Sequence, residues 1–130
     1  MPADSRAHGI RRRVISLARI VYLQLGWGWR EEVYREALVM ELQQAGLSTS
    51  SEVAMPIVYK GTTLSHVSVR WDIMVEQCVL VELKAVQNLK PGALRQCQRY
   101  ASIAHDGNCL CVAINFPDRP NAGIQMQCEV

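Results

Sequence analysis

The chain predicts one mixed α/β domain, on three observations. Apolar residues first recur at helical spacing over two segments. They then alternate or cluster in short β-rich runs from residue 52. One more helical segment between residues 91 and 105 separates the last strong strand from the others. The order read is α-α-β-β-β-α-β with a final edge strand. At 130 residues, 49% of them apolar, the chain suits a single domain with a real core.

Each element has a local reason. Residues 1–9 lack periodicity and are expected to fray, leaving 10–130 as the domain. Ile10, Val14, Leu17, Ala18, Val21 and Leu25 mark a first helix, with Arg11, Arg12, Arg13 and Arg19 mostly off its stripe. Gly26-Trp27-Gly28 breaks it. A second helix runs from about Trp29 to Ala45 on Val33, Ala37, Leu38, Met40 and Leu42, and Gly46 stops it. Glu52–Tyr59 is strand-like, with Pro56 pushing it to an edge. Lys60-Gly61 is a turn. Thr63–Val75 and Cys78–Val86 are the next strands, Pro91 to His105 a helix, Asp106-Gly107-Asn108 a turn, and Cys109–Phe116 a buried strand. Residues 124–130 add an edge strand.

Bulk properties narrow the class. Fourteen Lys and Arg against twelve Asp and Glu leave a net charge of +2, which neither advertises nor excludes a nucleic-acid surface. No apolar run approaches the ~18 to 20 residues of a membrane span, and the N-terminus lacks the apolar centre of a secretory signal. The five cysteines are odd in number and contain no CxxC pair. They read as small core residues, not as staples, an iron–sulfur site or a zinc site. A soluble cytoplasmic protein is expected. His8, His66 and His105 have no metal-ligand spacing, and no GxSxG is present.

The chemistry concentrates in WDIMVEQCVLVELK, residues 71–84. Asp72 closes one β run. Glu82 and Lys84 interrupt the next, among Val79, Leu80, Val81, Leu83, Ala85 and Val86. Charges in an apolar strand are costly unless something binds them. Two carboxylates hold a hard divalent cation, and an adjacent lysine positions an anion. Side chains alternate along a strand, so Glu82 and Lys84 share a face. A strict two-residue loop at Glu76-Gln77 sends Asp72 to the opposite face, whereas an odd loop or a bulge brings it to the same one. A site therefore requires the odd form. Standing alone, Asp72 also reads as a turn residue, and Glu82 and Lys84 as solvated strand residues.

The stretch Gly28–Tyr34, GWREEVY, together with VELKAV at 81–86, REALVMELQQAGL, VAMPIVYKG, VRWDIMV and the Gln96/Tyr100 pair, resembles the GxxExxY family of the PD-(D/E)XK nuclease superfamily. The resemblance runs from about Val14 to Phe116. It implies a restriction-endonuclease-like core, α-β-β-β-α-β, preceded by an extra helix. It also implies that Asp72, Glu82, the Leu83 carbonyl and Glu31 bind metal, Mg²⁺ or Mn²⁺. Lys84 would be the catalytic lysine, with Gln96 beside it. Tyr100, Tyr34, Arg95 and Arg99 would support the site or bind substrate. The chain departs from the family in Gly26-Trp27-Gly28, where a Trp replaces the usual proline, and at Gln77, where a Gly is common.

Two functions follow as expectations. One is a metal-dependent nuclease acting on DNA, or less favourably RNA, with a homodimer able to cut both strands. The other is a non-catalytic module that keeps the fold and binds nucleic acid or protein. Trp27 and Trp29 are expected to be buried, against the sheet or a partner subunit, in preference to stacking on bases. The Arg11–Arg13 run is expected on a solvated helix face in preference to a phosphate backbone.

Overall fold

The computed structural model describes residues 2–67, 69–103 and 109–129. Helix α1 spans Pro2–Leu25 and α2 spans Glu31–Gln44. The stretch expected to fray is thus helical from Pro2. Ala7 continues the buried stripe of Ile10, Val14, Ala18 and Val21 by one more turn, and Arg6 pairs with Glu76 at 2.7 Å. Gly26 and Gly28 end α1 with positive φ of 74° and 98°, a conformation that favours glycine. The buried face of α2 is narrower than its sequence suggested. Tyr34, Leu38 and Leu42 are fully buried, whereas Met40 is exposed.

The main sheet has five strands in the order β1-β6-β7-β8-β9. These are Thr49–Ser51, Ile73–Val75, Val79–Lys84, Leu110–Asn115 and Gln125–Gln127. Among the described residues, β7–β8 is the one parallel pair, with α3, Gly92–Ile103, as its crossover. The other neighbouring pairs are antiparallel. Ile73, Val75, Val79, Val81, Leu83, Val112, Ile114 and Phe116 face α1 and α2 in one core. Met74, Leu80 and Cys111 face Cys97 and Ala101 of α3 in a second. Burial of each such aliphatic side chain contributes about 1.5–3 kcal/mol. Tyr34 stacks on Phe116 at 4.4 Å, with Tyr22 tilted against both, which ties α1 and α2 to the end of β8. This mixed sheet between helices is consistent with a restriction-endonuclease-like fold.

The long strands expected at 52–59 and 63–75 are broken. Between β1 and β6 the chain forms two small ribbons, β2 with β5 (Ala54–Met55, Val69–Arg70) and β3 with β4 (Val58–Tyr59, Thr62–Thr63). They lie outside the main sheet, most of their residues are exposed, and they have little apolar face to bury. Ser68, His105 and the expected turn at 106–108 lie outside the described residues. The five cysteines are free. Cys97 and Cys111 are core residues as expected.

Arg11 corrects the reading of a solvated run. It is 7% exposed, and its guanidinium donates to the Cys111 carbonyl, both the side chain and carbonyl of Glu129, and meets His8. The C-terminal segment is thereby bolted to α1. Arg11→Met leaves Glu129 without its cation, and the expected loss is about 3 kcal/mol in denaturant unfolding. Adding Glu129→Gln is expected to recover part of it. Unchanged unfolding in Arg11→Met would show that the pair holds nothing together.

Candidate active site

The site begins with a turn. Val75 pairs with Val79, so the β6–β7 loop has the odd, three-residue form that the site required. Its register sets Ile73 opposite Val81. One step further along, Asp72 lies opposite Glu82, on the α3 face of the sheet. Glu76 and Gln77 both hold positive φ, 52° and 55°, without a glycine. Glu76 explains how this conformation persists. Its carboxylate accepts from the Ser48 amide at 2.6 Å and from Arg6 at 2.7 Å, and its own amide donates to the Ser48 carbonyl at 2.9 Å. Those contacts hold its carboxyl below the usual range.

Asp72 lies close enough to Glu82 to raise its carboxyl. Asp72 Oδ2 also accepts from the Leu83 amide at 2.7 Å. Glu82 is 7% exposed. Burial first, then the hydrogen bond and charge of Asp72, push its carboxyl up to about 9 against the opposing pull of Lys84. Glu31, in the first turn of α2, belongs to the same cluster. Burial and then the Asp72 charge raise it to about 7, while Lys84 and Arg35 oppose. The pair therefore keeps a proton at neutral pH in the absence of a cation. Along β7, the Cys78 and Lys84 carbonyls accept from Leu110 and Phe116 on the β8 side. Carbonyl directions alternate along a strand, so the Leu83 carbonyl faces the side of Asp72.

Lys84 is half-buried, and its Nζ stands 3.5 Å from Gln96 Oε1, a long contact. Gln96 Nε2 donates to the Tyr100 hydroxyl at 2.9 Å. Helix α3 thus lays a Lys84–Gln96–Tyr100 chain over the carboxylate face. A cleft of about 330 Å³ opens from Lys84 and Gln96 along Val86, Leu89, Lys90, Gly92 and Ala93. It adjoins the carboxylates without being lined by them. Arg95 and Arg99 are exposed on α3. Among the described residues, no three His, Cys, Asp or Glu side chains close into a metal-holding group.

Tyr34 stands apart from this cluster. It is fully buried, donates to the Gly26 carbonyl at 2.7 Å and accepts from the Trp29 amide at 3.3 Å. It bolts down the loop before Glu31. Trp27 and Trp29 are half exposed on this chain, so neither is buried against the sheet. Two polar residues escaped the sequence reading. Asn115 is buried and holds Val86 through both its amide atoms, and Gln125 holds the Leu89 amide and Asn115. Together they fix the segment that lines the cleft. Asn115 had one signal, a carboxamide closing the apolar run CLCVAIN.

Folded Glu82 keeps its proton to about pH 9, whereas an ordinary Glu releases it near 4.5. Between those values the native state binds more protons than the unfolded chain, so stability falls as pH rises. Glu31 adds a smaller fall that ends near pH 7. In EDTA the melting temperature should therefore drop between pH 5 and 9. Glu82→Gln should flatten the drop and melt roughly 3–6 °C above wild type at the alkaline end. A variant less stable than wild type there would contradict the burial cost assigned to this carboxyl.

A family model described as the PD-(D/E)XK nuclease superfamily matches residues 8–127. No curated protein and no solved structure matches the chain. The superfamily consists generally of nucleases that use divalent metals such as Mg²⁺, and it implies nucleic acid as the binding partner. No described helix is long and apolar enough to cross a membrane. With the match covering nearly the whole chain and a mixed sheet between helices beneath it, the chain belongs to the PD-(D/E)XK nuclease superfamily.

Proposed function

We propose that this chain is a metal-dependent nuclease of the GxxExxY type that hydrolyses phosphodiester bonds, with DNA as the first substrate and RNA as the second. The supporting observation is that Asp72 lies opposite Glu82 while Lys84 shares their face. Two facing carboxylates in a buried setting need a proton or a cation between them. Their donors are all oxygen, joined by the Leu83 carbonyl and Glu31, which suits Mg²⁺ or Mn²⁺. A divalent ion held there would lower the pKa of a bound water and screen phosphate charge.

The chain's own groups do the rest. Lys84 donates to the scissile phosphate or orients the attacking water. Gln96 and Tyr100 hold Lys84 in place from α3. Arg95 and Arg99 offer backbone phosphate contacts from the same helix. Tyr34 acts at one remove, by fixing the loop that leads into Glu31. The free cysteines suit a reducing, cytoplasmic setting. A homodimer would let two such sites cut both strands. The absence of a closed three-donor group among the described residues favours a second reading, a binding module that keeps the fold without turnover.

Purified protein with Mg²⁺ or Mn²⁺ should nick or degrade a panel of single-stranded, duplex and branched DNA and RNA, and EDTA should abolish the activity. Asp72→Ala and Lys84→Ala should each lower the rate by about 100-fold or more. Activity that survives both substitutions would place the chemistry elsewhere. Binding without cleavage at any metal concentration would select the module.

Metal binding has its own readout. Millimolar Mg²⁺ at pH 8 should raise the melting temperature of wild type by a few degrees through preferential binding to the folded state. Asp72→Ala should show no such rise. Equal shifts in both proteins would mean that the ion binds somewhere other than this carboxylate pair.

A further inference from the structure

Trp27 and Trp29 have no part in the chemistry above, and both are 51% exposed. Large aromatic side chains gain much from burial, so two exposed indoles two positions apart in one loop call for a use. The loop is firmly held. The Gly26 amide donates to the Tyr22 carbonyl at 2.8 Å, and the Tyr34 hydroxyl bridges the Gly26 carbonyl and the Trp29 amide. Trp29 Nε1 donates to the Leu25 carbonyl at 2.9 Å. With that N–H already bonded, the unused chemistry of Trp29 is its ring face. Among the described residues, neither indole is in an aromatic or cation–π pair.

Position connects the loop to the candidate site. Glu31, the first residue of α2 and a candidate acid of the site, follows Trp29 by two residues. Arg30, between them, has a largely exposed side chain and only a 3.9 Å contact with Glu32. The chain's net charge of +2 limits what phosphate attraction alone supplies. Stacking of bases on aromatic faces adds affinity without net charge, and base faces are open only where strands are unpaired. We infer that Trp27 and Trp29 form a stacking platform for unpaired bases, so that the substrate entering this site is single-stranded nucleic acid or an unpaired end. The inference rests on the nuclease reading of the Asp72–Glu82 pair.

The test measures binding without metal or cleavage. The full chain in EDTA is titrated into labelled thymidine and uridine strands of about 15 nucleotides, an abasic strand of equal length and a matching duplex. The thymidine strand should bind about ten-fold or more tighter than the abasic strand or the duplex. The Trp27→Ala/Trp29→Ala double variant should fall to the abasic level with unchanged abasic binding. Trp27→Phe/Trp29→Phe should retain most of the affinity, because phenyl rings still stack. Equal affinity for the abasic strand, tighter binding of duplex, or wild-type affinity in the double Ala variant would overturn the platform. So would a double Ala variant that loses self-association in sedimentation without losing base-dependent binding. That outcome would assign the indoles, with exposed Leu23 and Ile20 of α1, to a protein interface. A protein that stacks bases yet never cleaves refutes the nuclease reading alone, and a nuclease indifferent to bases refutes only the platform.

Discussion

The candidate site depends on one turn. Three residues between Val75 and Val79 bring Asp72 opposite Glu82, and a loop shorter by one residue would send the two to opposite faces. The turn has no glycine, so its two left-handed residues need outside support. Glu76 supplies it through Ser48, just before β1, and Arg6, on α1. A partly buried carboxylate at one end of the hairpin thus supports the turn that places Asp72 opposite buried Glu82 at the other.

That pair sits in the most demanding environment of the fold. Glu82 is flanked along β7 by fully buried Val81 and Leu83, and it shares with Leu80 the sheet face covered by Cys97 and Ala101 of α3. The Cys97 thiol, pushed up by its neighbour Cys111 and by burial, stays protonated and adds no charge. The Lys84 charge opposes the rise of both the Glu82 and the Glu31 carboxyls. The surrounding structure tolerates this cost because the opposite face is a dry aliphatic and aromatic core, closed by the Tyr34–Phe116 stack. Stability resides on the α1–α2 side of the sheet, and chemical potential on the α3 side.

Much of the architecture was legible because period carries it. The three helices, the buried strands around residues 79–84 and 110–115 and the mixed α/β class follow from apolar spacing. The odd turn was legible only as a condition, since alternation dictates what the loop must be without revealing its length. The strands at 52–75 misled, because β-branched residues such as Val58, Thr62 and Thr63 favour extended backbone whether or not a sheet receives them. Arg11 misled for a related reason. Its position beside other arginines looks solvated, yet the C-terminal segment, more than a hundred residues away, arrives to bury it.

By itself the sequence determined the periodicities, the same-face pairing of Glu82 with Lys84 and the Gln96/Tyr100 pair on one helix. These are properties of spacing within a single element, and backbone geometry converts spacing into direction. Tertiary structure alone decided that Asp72 lies opposite Glu82, that Trp27 and Trp29 stay exposed on this chain and that Asn115 and Gln125 fix the cleft segment. Each of those depends on how separate elements are placed by loops and by core packing. No residue-by-residue pattern encodes that placement, because the contacts that stabilise it lie far apart in the chain.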